Sequence, residues 1–141
     1  MSDFVDLEFI KTLAQYLKNN ISELKQCEIY QFPERPMFPI AIISYNQTRE
    51  RIQDVDSERD KKYLEISLNI EIFTKTTSQE TNRYLSGFEL KNKIISLIKT
   101  SDNYKNLLLT FDRVIPNLDS QVCRIRLTFE GVVNIKQNTI L

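Results

Sequence analysis

Residues 63–73, YLEISLNIEIF, decide how the rest of the chain is read. Leu64, Ile66, Leu68, Ile70 and Ile72 fall on one side of the alternation. Tyr63, Glu65, Ser67, Asn69, Glu71 and Phe73 fall on the other. The side chains of a strand switch faces at every residue, so this stretch predicts a strand with one face in a core. Its second face is mostly polar, carries fixed charges at Glu65 and Glu71, and is framed by aromatics at both ends. Such a face meets either water or another chain. No catalytic motif accompanies it.

Upstream, residues 3–26 predict a helix, because Leu7, Ile10, Leu13, Ala14, Leu17, Ile21 and Leu24 step by three and four. Asp3 and Asp6 in its first turn and Lys25 in its last have the signs that the helix dipole favours, and Ser2 or Asp3 can cap it. Residues 28–32 predict a short strand, ended by the turn Pro33–Glu34–Arg35–Pro36. Residues 40–45, IAIISY, begin apolar on both faces, as a strand inside a sheet does. Between that strand and residue 63 the pattern collapses into NQTRERIQDVDSERDKK, residues 46–62, in which Ile52 and Val55 are the apolar positions. With no glycine or proline, 46–62 is a long excursion rather than a tight turn. It reads either as a solvated loop or as a hairpin extension that orders against a neighbour.

Downstream, 74–79 reads as a linker. Ser78 or Thr81 caps a second helix carrying Tyr84, Leu85, Phe88, Ile94, Ile95 and Ile98, with Leu90 and Leu97 widening the stripe. Gly87 costs that helix roughly 1 kcal/mol relative to alanine, which predicts a backbone passing close by. Residues 107–115 predict a fourth strand and 116–119 a turn. Residues 121–135 predict a fifth strand, with Cys123, Ile125, Leu127 and Phe129 inward and Arg124, Arg126, Thr128 and Glu130 outward. Gly131 is expected to mark a bulge before Val133 and Ile135. The whole predicts one α+β domain over residues 1–141, with an antiparallel or mixed sheet of about five strands and two amphipathic helices packed on one face. The order is α-β-β-β-α-β-β.

Composition narrows the function classes. At 141 residues the chain is one domain by length, and such a chain buries roughly 68–70% of its unfolded surface. Lysine plus arginine equals aspartate plus glutamate, 19 each, whereas a protein that grips nucleic acid as its main task shows a basic excess. Zero formal charge also weakens self-repulsion, which suits a subunit that assembles with its own copies. Cys27 and Cys123 lie far apart and in no CxxC pair, so they read as buried thiols of a reducing compartment rather than a disulfide. The acidic MSDFVDLEF start is unlike a signal peptide, and the longest apolar run falls far short of the ~20 residues of a membrane span. An intracellular protein without membrane partners is the expectation.

Catalytic and metal chemistry find little to work with. The chain contains no histidine, which removes the commonest general base and a common metal ligand. Two isolated cysteines cannot make a structural zinc site unaided. The alternating acids Asp54, Asp56, Glu58 and Asp60 suggest a calcium loop, but Arg59 stands where an EF-hand needs glycine, and the twelfth position, Glu65, lies inside a strand. With glycine only at 87 and 131, no Gly-rich phosphate loop can form. Arg49, Arg51, Arg59, Lys61 and Lys62 are interleaved with acids that cancel the field a phosphate backbone would feel. Tyr30, Phe32, Phe38 and Tyr45 read as core or interface aromatics. No enzyme activity, cofactor, metal or sequence-specific nucleic acid is expected. Glu65 and Glu71 are expected to partner Arg124 and Arg126 on a neighbouring strand, at roughly 0.2–1 kcal/mol per cross-strand pair.

The element order, over nearly the whole chain, resembles that of the tail terminator (tail completion) proteins of tailed bacteriophages and related contractile particles. The features that carry it are the opening helix, ELKQCEIYQFPERPMFP leading into IAIISYN, the long polar segment, KKYLEISLNIEIFTK, the RYLSGFELKNKIISLI helix and CRIRLTFEGVVNI. None is a fixed catalytic motif, and fold alone does not give function. The resemblance implies a non-enzymatic virion subunit forming a ring, usually a hexamer, that caps the head-proximal end of the tail tube and stops its growth. It implies contact with the tail tube protein on one side and a head connector, collar or sheath component on the other, in a particle assembled in the host cytoplasm. A headless tail particle would need only the cap. A head-tail connector or minor tail protein, and a small regulatory or nucleic-acid-binding domain, are the competing readings. A cyclic ring needs two different patches on each subunit, since its contacts are head-to-tail. The candidates are the outward sheet face, with Glu65, Glu71, Arg124, Arg126 and Glu130, and the polar segment, with Arg49, Arg51 and Arg59. Both are equally compatible with plain solvation.

Overall fold

The alternating stretch forms β3 (Tyr63–Lys75), the middle strand of a sheet, paired antiparallel to β2 (Ile40–Arg51) on one side and β5 (Val122–Asn134) on the other. The computed structural model describes residues 2–51, 63–75, 85–115, 122–134 and 139–140. The remaining elements are α1 (Ser2–Asn20), β1 (Gln26–Ile29), α2 (Leu85–Thr100), β4 (Leu108–Ile115) and β6 (Thr139–Ile140). The sheet runs β1-β2-β3-β5-β4, with β6 pairing the end of β5. It is mixed, because β1 lies parallel to β2 while the other pairs are antiparallel. The fold is α+β, as the patterning predicts.

Both helices cover the face lined by the alternating apolar residues. Leu64, Ile66, Leu68, Ile70 and Ile72 of β3 and Cys123, Ile125, Leu127 and Phe129 of β5 are all buried. They share one core with Phe9, Ile10, Leu13 and Leu17 of α1 and with Leu90, Ile94 and Ile98 of α2. Burying a side chain of this size contributes about 1.5–3 kcal/mol, so the helix-covered face holds the domain together. Ile40 and Ile42 are buried on the other face as well, as the doubly apolar start of their strand requires.

Four local expectations are corrected. The first helix stops at Asn20, six residues before the expected 26. Asn19 and Asn20 are poor helix formers, and the Asn20 side chain donates to the Tyr16 carbonyl at 2.8 Å. Ile21 and Leu24 still reach the core from the following turn, and the Lys25 and Gln26 amides bond to the Pro39 carbonyl. Residues 46–51 are not loop but the second half of β2, paired to β3 beyond a bulge at Asn46. Their polar composition conceals a strand held by pairing with β3; residues 52–62 lie outside the described part.

The stripe of α2 is Gly87, Leu90, Ile94 and Ile98, while Leu85 and Phe88 are exposed. Tyr84, Ser78 and Thr81 lie outside the described residues. At Gly87 the close neighbours are side chains rather than the expected backbone: a Cβ there would stand 3.0 Å from Cys123 Sγ and 3.1 Å from Thr74 Oγ1. Gly131 makes no bulge, since β5 stays in register with β3 through Ile66↔Gly131. It makes room instead for Leu107, whose Cδ2 would lie 3.0 Å from a Cβ. The bulge is in β4, between Leu109 and Phe111. Ile135 and the turn expected at 116–119 fall outside the described residues.

Candidate functional site

With both helices on one side, the opposite face of the sheet is organised by strand register into rows of side chains. One row crosses from β1 to β4 as Glu28, Ile42, Glu71, Arg126 and Arg113. The row beside it is Gln26, Ile40, Phe73, Arg124 and Ile115. Residues opposite one another in adjacent strands share a face and touch, so these rows determine which charges meet.

Glu71 is the hub. Its Oε2 accepts from Arg124 Nε at 2.6 Å, and its Oε1 accepts from Arg126 Nη2 at 3.2 Å. The Glu71 side chain is 16% exposed and the two arginines about a third. Charge-assisted bonds in such a half-dry setting exceed the roughly 0–1 kcal/mol of a solvated pair. The Arg124 guanidinium also sits 5.4 Å from the Phe73 ring centre. Phe73 meets Phe32 edge-on at 5.1 Å, and Phe32 meets Phe38 at 6.3 Å. Lys75 Nζ lies 5.9 Å from the Phe38 ring. Of the aromatics read as core or interface fillers, Phe32 and Phe38 thus join Phe73 in a surface cluster, Tyr30 like Phe32 is about half exposed, and Tyr45 packs against the core. One row further, Thr128 Oγ1 donates to Asn69 Oδ1 at 2.7 Å. Arg126 Nε is buried without a hydrogen-bond partner among the described residues.

Glu65 and Glu130 stand apart from this hub. Glu65 pairs in register with Arg49 on β2 and Val132 on β5, so it does not reach Arg124 or Arg126 as expected. Glu65 and Glu130 instead line an open depression of about 450 Å³, together with Gln47, Ser67 and Leu108. The face is therefore two-ended, with the Glu71–arginine hub and the aromatic cluster at one end and the depression lined by Glu65 and Glu130 at the other. Arg51 stands opposite Tyr63 in register, and Arg59 lies outside the described residues.

Sequence reasoning found β4 as a strand but missed the residues it exposes. Leu108, Phe111 and Val114 are large, apolar and exposed there, and the Arg113 guanidinium rests 5.5 Å from the Phe111 ring centre. Among the described residues no cluster of three or more His, Cys, Asp or Glu side chains could hold a metal. Cys27 and Cys123 are free thiols. Burial pushes the Cys27 thiol up to about 12, and burial raises that of Cys123 as well. Neither is therefore activated as a nucleophile at neutral pH. No helix among the described residues is long and apolar enough to cross a membrane. What this face can do is bind by charge and by aromatic contact.

No family model matches the chain, and no curated protein matches it. Among solved structures, a chain from the virion of a native gene transfer agent particle is similar at 11% identity and a TM-score of 0.47, with 76% of this chain and 78% of that chain covered.

Proposed function

We propose that this chain is a structural subunit of a tailed virion or phage-tail-like particle, forming a ring, usually six-fold, that caps the head-proximal end of the tail tube and ends its polymerisation. The observation that carries the reading is the helix-free sheet face, a broad, rigid surface with ordered charges and exposed aromatics. The element order, which resembles that of tail terminators, supports it. A ring subunit must present fixed surfaces to a neighbour, a tube below and a connector above; charges held by strand register need no reordering when they dock. Under this reading Glu65, Glu71, Arg124, Arg126, Glu130, Arg49, Arg51 and Arg59 belong to the subunit or tube contacts, and no step of chemistry is required.

The test is tail length. Tails assembled without this protein should be of uncontrolled length, and adding the purified chain should cap them at the head-proximal end, visible by negative stain. Tails of normal length in its absence would refute the capping role. Tails of normal length that fail to join heads would support the head-tail connector instead.

A further inference from the structure

The sheet ends in two edges that no described strand covers. β4 pairs with β5 along one side only, and β1 pairs only with β2. Such an edge is a template for another chain, and the charges on both edges and the bulge in β4 restrict which chain fits. Leu108 and Phe111 on β4 are 60% and 48% exposed, and Tyr30 and Met37 next to β1 are 54% and 58% exposed.

We propose that the β4 edge of one copy docks on the β1 edge of the next copy, with Arg113 facing Glu28. Strand direction allows it. β2, β3, β5 and β4 alternate in direction and β1 runs with β2, so β1 and β4 point opposite ways. Two copies related by rotation about an axis along the strands therefore bring these edges together as antiparallel neighbours.

Charge selects the register. The row Glu28–Ile42–Glu71–Arg126–Arg113 has a carboxylate at the β1 end and a guanidinium at the β4 end. Copies meeting in the same row set opposite charges face to face. Both charges are available: among the described residues neither Glu28 nor Arg113 has an ion-pair partner, while the adjacent Asp112 is held by Lys91 at 3.0 Å. Arg113 also stands directly opposite Arg126, a like-charge placement that a carboxylate on its outer side offsets.

Because the two edges differ, the contact is head-to-tail and closes into a ring if the rotation closes. The inference deepens the ring reading above and depends on it only for that closure. Sedimentation of the purified chain should show a species larger than a dimer. Arg113→Glu alone and Glu28→Arg alone should each weaken association by at least about tenfold, as like charges meet at the contact. The combined variant should restore it. Both side chains are exposed, so all three variants should stay folded, with Arg113→Glu if anything melting slightly higher as the like charge opposite Arg126 is removed. A wild type that stays monomeric at millimolar concentration, or reversals without effect, overturns the inference. So does an Arg113→Cys variant that oxidises to a dimer with itself, since that outcome means β4 pairs with β4. A closed ring that leaves tail length unchanged would instead refute the capping function and keep the edge contact.

Discussion

Replacing Glu71 with glutamine tests whether the hub of the outer face holds the sheet or merely decorates it. Glutamine keeps the shape and removes the charge. In its place Arg124 and Arg126, two residues apart on β5, lose their common anion. Arg113 remains opposite Arg126, so three guanidinium groups share one corner. A hydrogen bond to a charged group contributes about 1.5–3 kcal/mol when well buried. Both bonds lose their charged acceptor here, and the roughly one-third exposure of both arginines calls for discounting them by about half. The expected loss is at most about 1.5–3 kcal/mol, or a fall in melting temperature of about 5–12 °C for a domain of this size. Thermal unfolding followed by circular dichroism measures it. Arg126→Gln in the Glu71→Gln background should then cost much less than in the wild type, because residues of one network are not additive. A fall below about 2 °C would mean that Glu71 is worth no more than a solvated pair and would refute the reasoning.

Reversing both arginines, Arg124→Glu with Arg126→Glu, should lower stability further still, because three carboxylates then crowd the site; a double mutant that melts like the wild type would contradict the pairing with Glu71. Gly87→Ala should gain about 1 kcal/mol of helix propensity and lose more to contacts of 3.0–3.2 Å on three sides, for a net cost of about 1 kcal/mol. Adding Cys123→Ala should cancel part of that contact penalty, since Thr74 and Ile125 remain, as denaturant midpoints of the four-member cycle will tell. Burial pushes the Cys27 thiol and the Tyr104 phenol up to about 12 each. Their folded forms hold protons that the unfolded chain gives up, so stability should be full at neutral pH and fall from about pH 9 towards 12. Melting curves across that range should flatten in part with Tyr104→Phe, and iodoacetamide should leave folded Cys27 unmodified at pH 8.

The fold was legible wherever burial falls on one side of an element. β3 and β5 write their core face in a period of two, and no tertiary information is needed to see it. β2 is legible only as far as Tyr45. Beyond its bulge the segment is polar in sequence, and its support comes from its partner β3, with Glu65 opposite Arg49 and Ile66 opposite Thr48, far along the chain. No local window contains that partner. In α2 the defining position is Gly87, which has no hydrophobicity to register, and the flanking Leu85 and Phe88 pull the apparent stripe to the wrong side.

The candidate site divides along the same line. Glu71, Arg124 and Arg126 occupy polar positions of alternating strands, so their sharing a face follows from period alone; that Glu71 rather than Glu65 takes both arginines follows from register. β4 needs one fact more. Counting by twos from Leu109, which packs on the core, sends Phe111 and Arg113 inward and Asp112 outward. The bulge between Leu109 and Phe111 inserts one residue, and a one-residue slip turns every later side chain to the other face. Phe111 and Arg113 therefore emerge on the outer face, while Asp112 turns under α2 to meet Lys91 at 3.0 Å. Thr110, the inserted residue, donates its hydroxyl to the Thr128 carbonyl at 3.3 Å. That irregularity gives the β4 edge its outward cation, Arg113, and so sets the charge that a second copy would meet there.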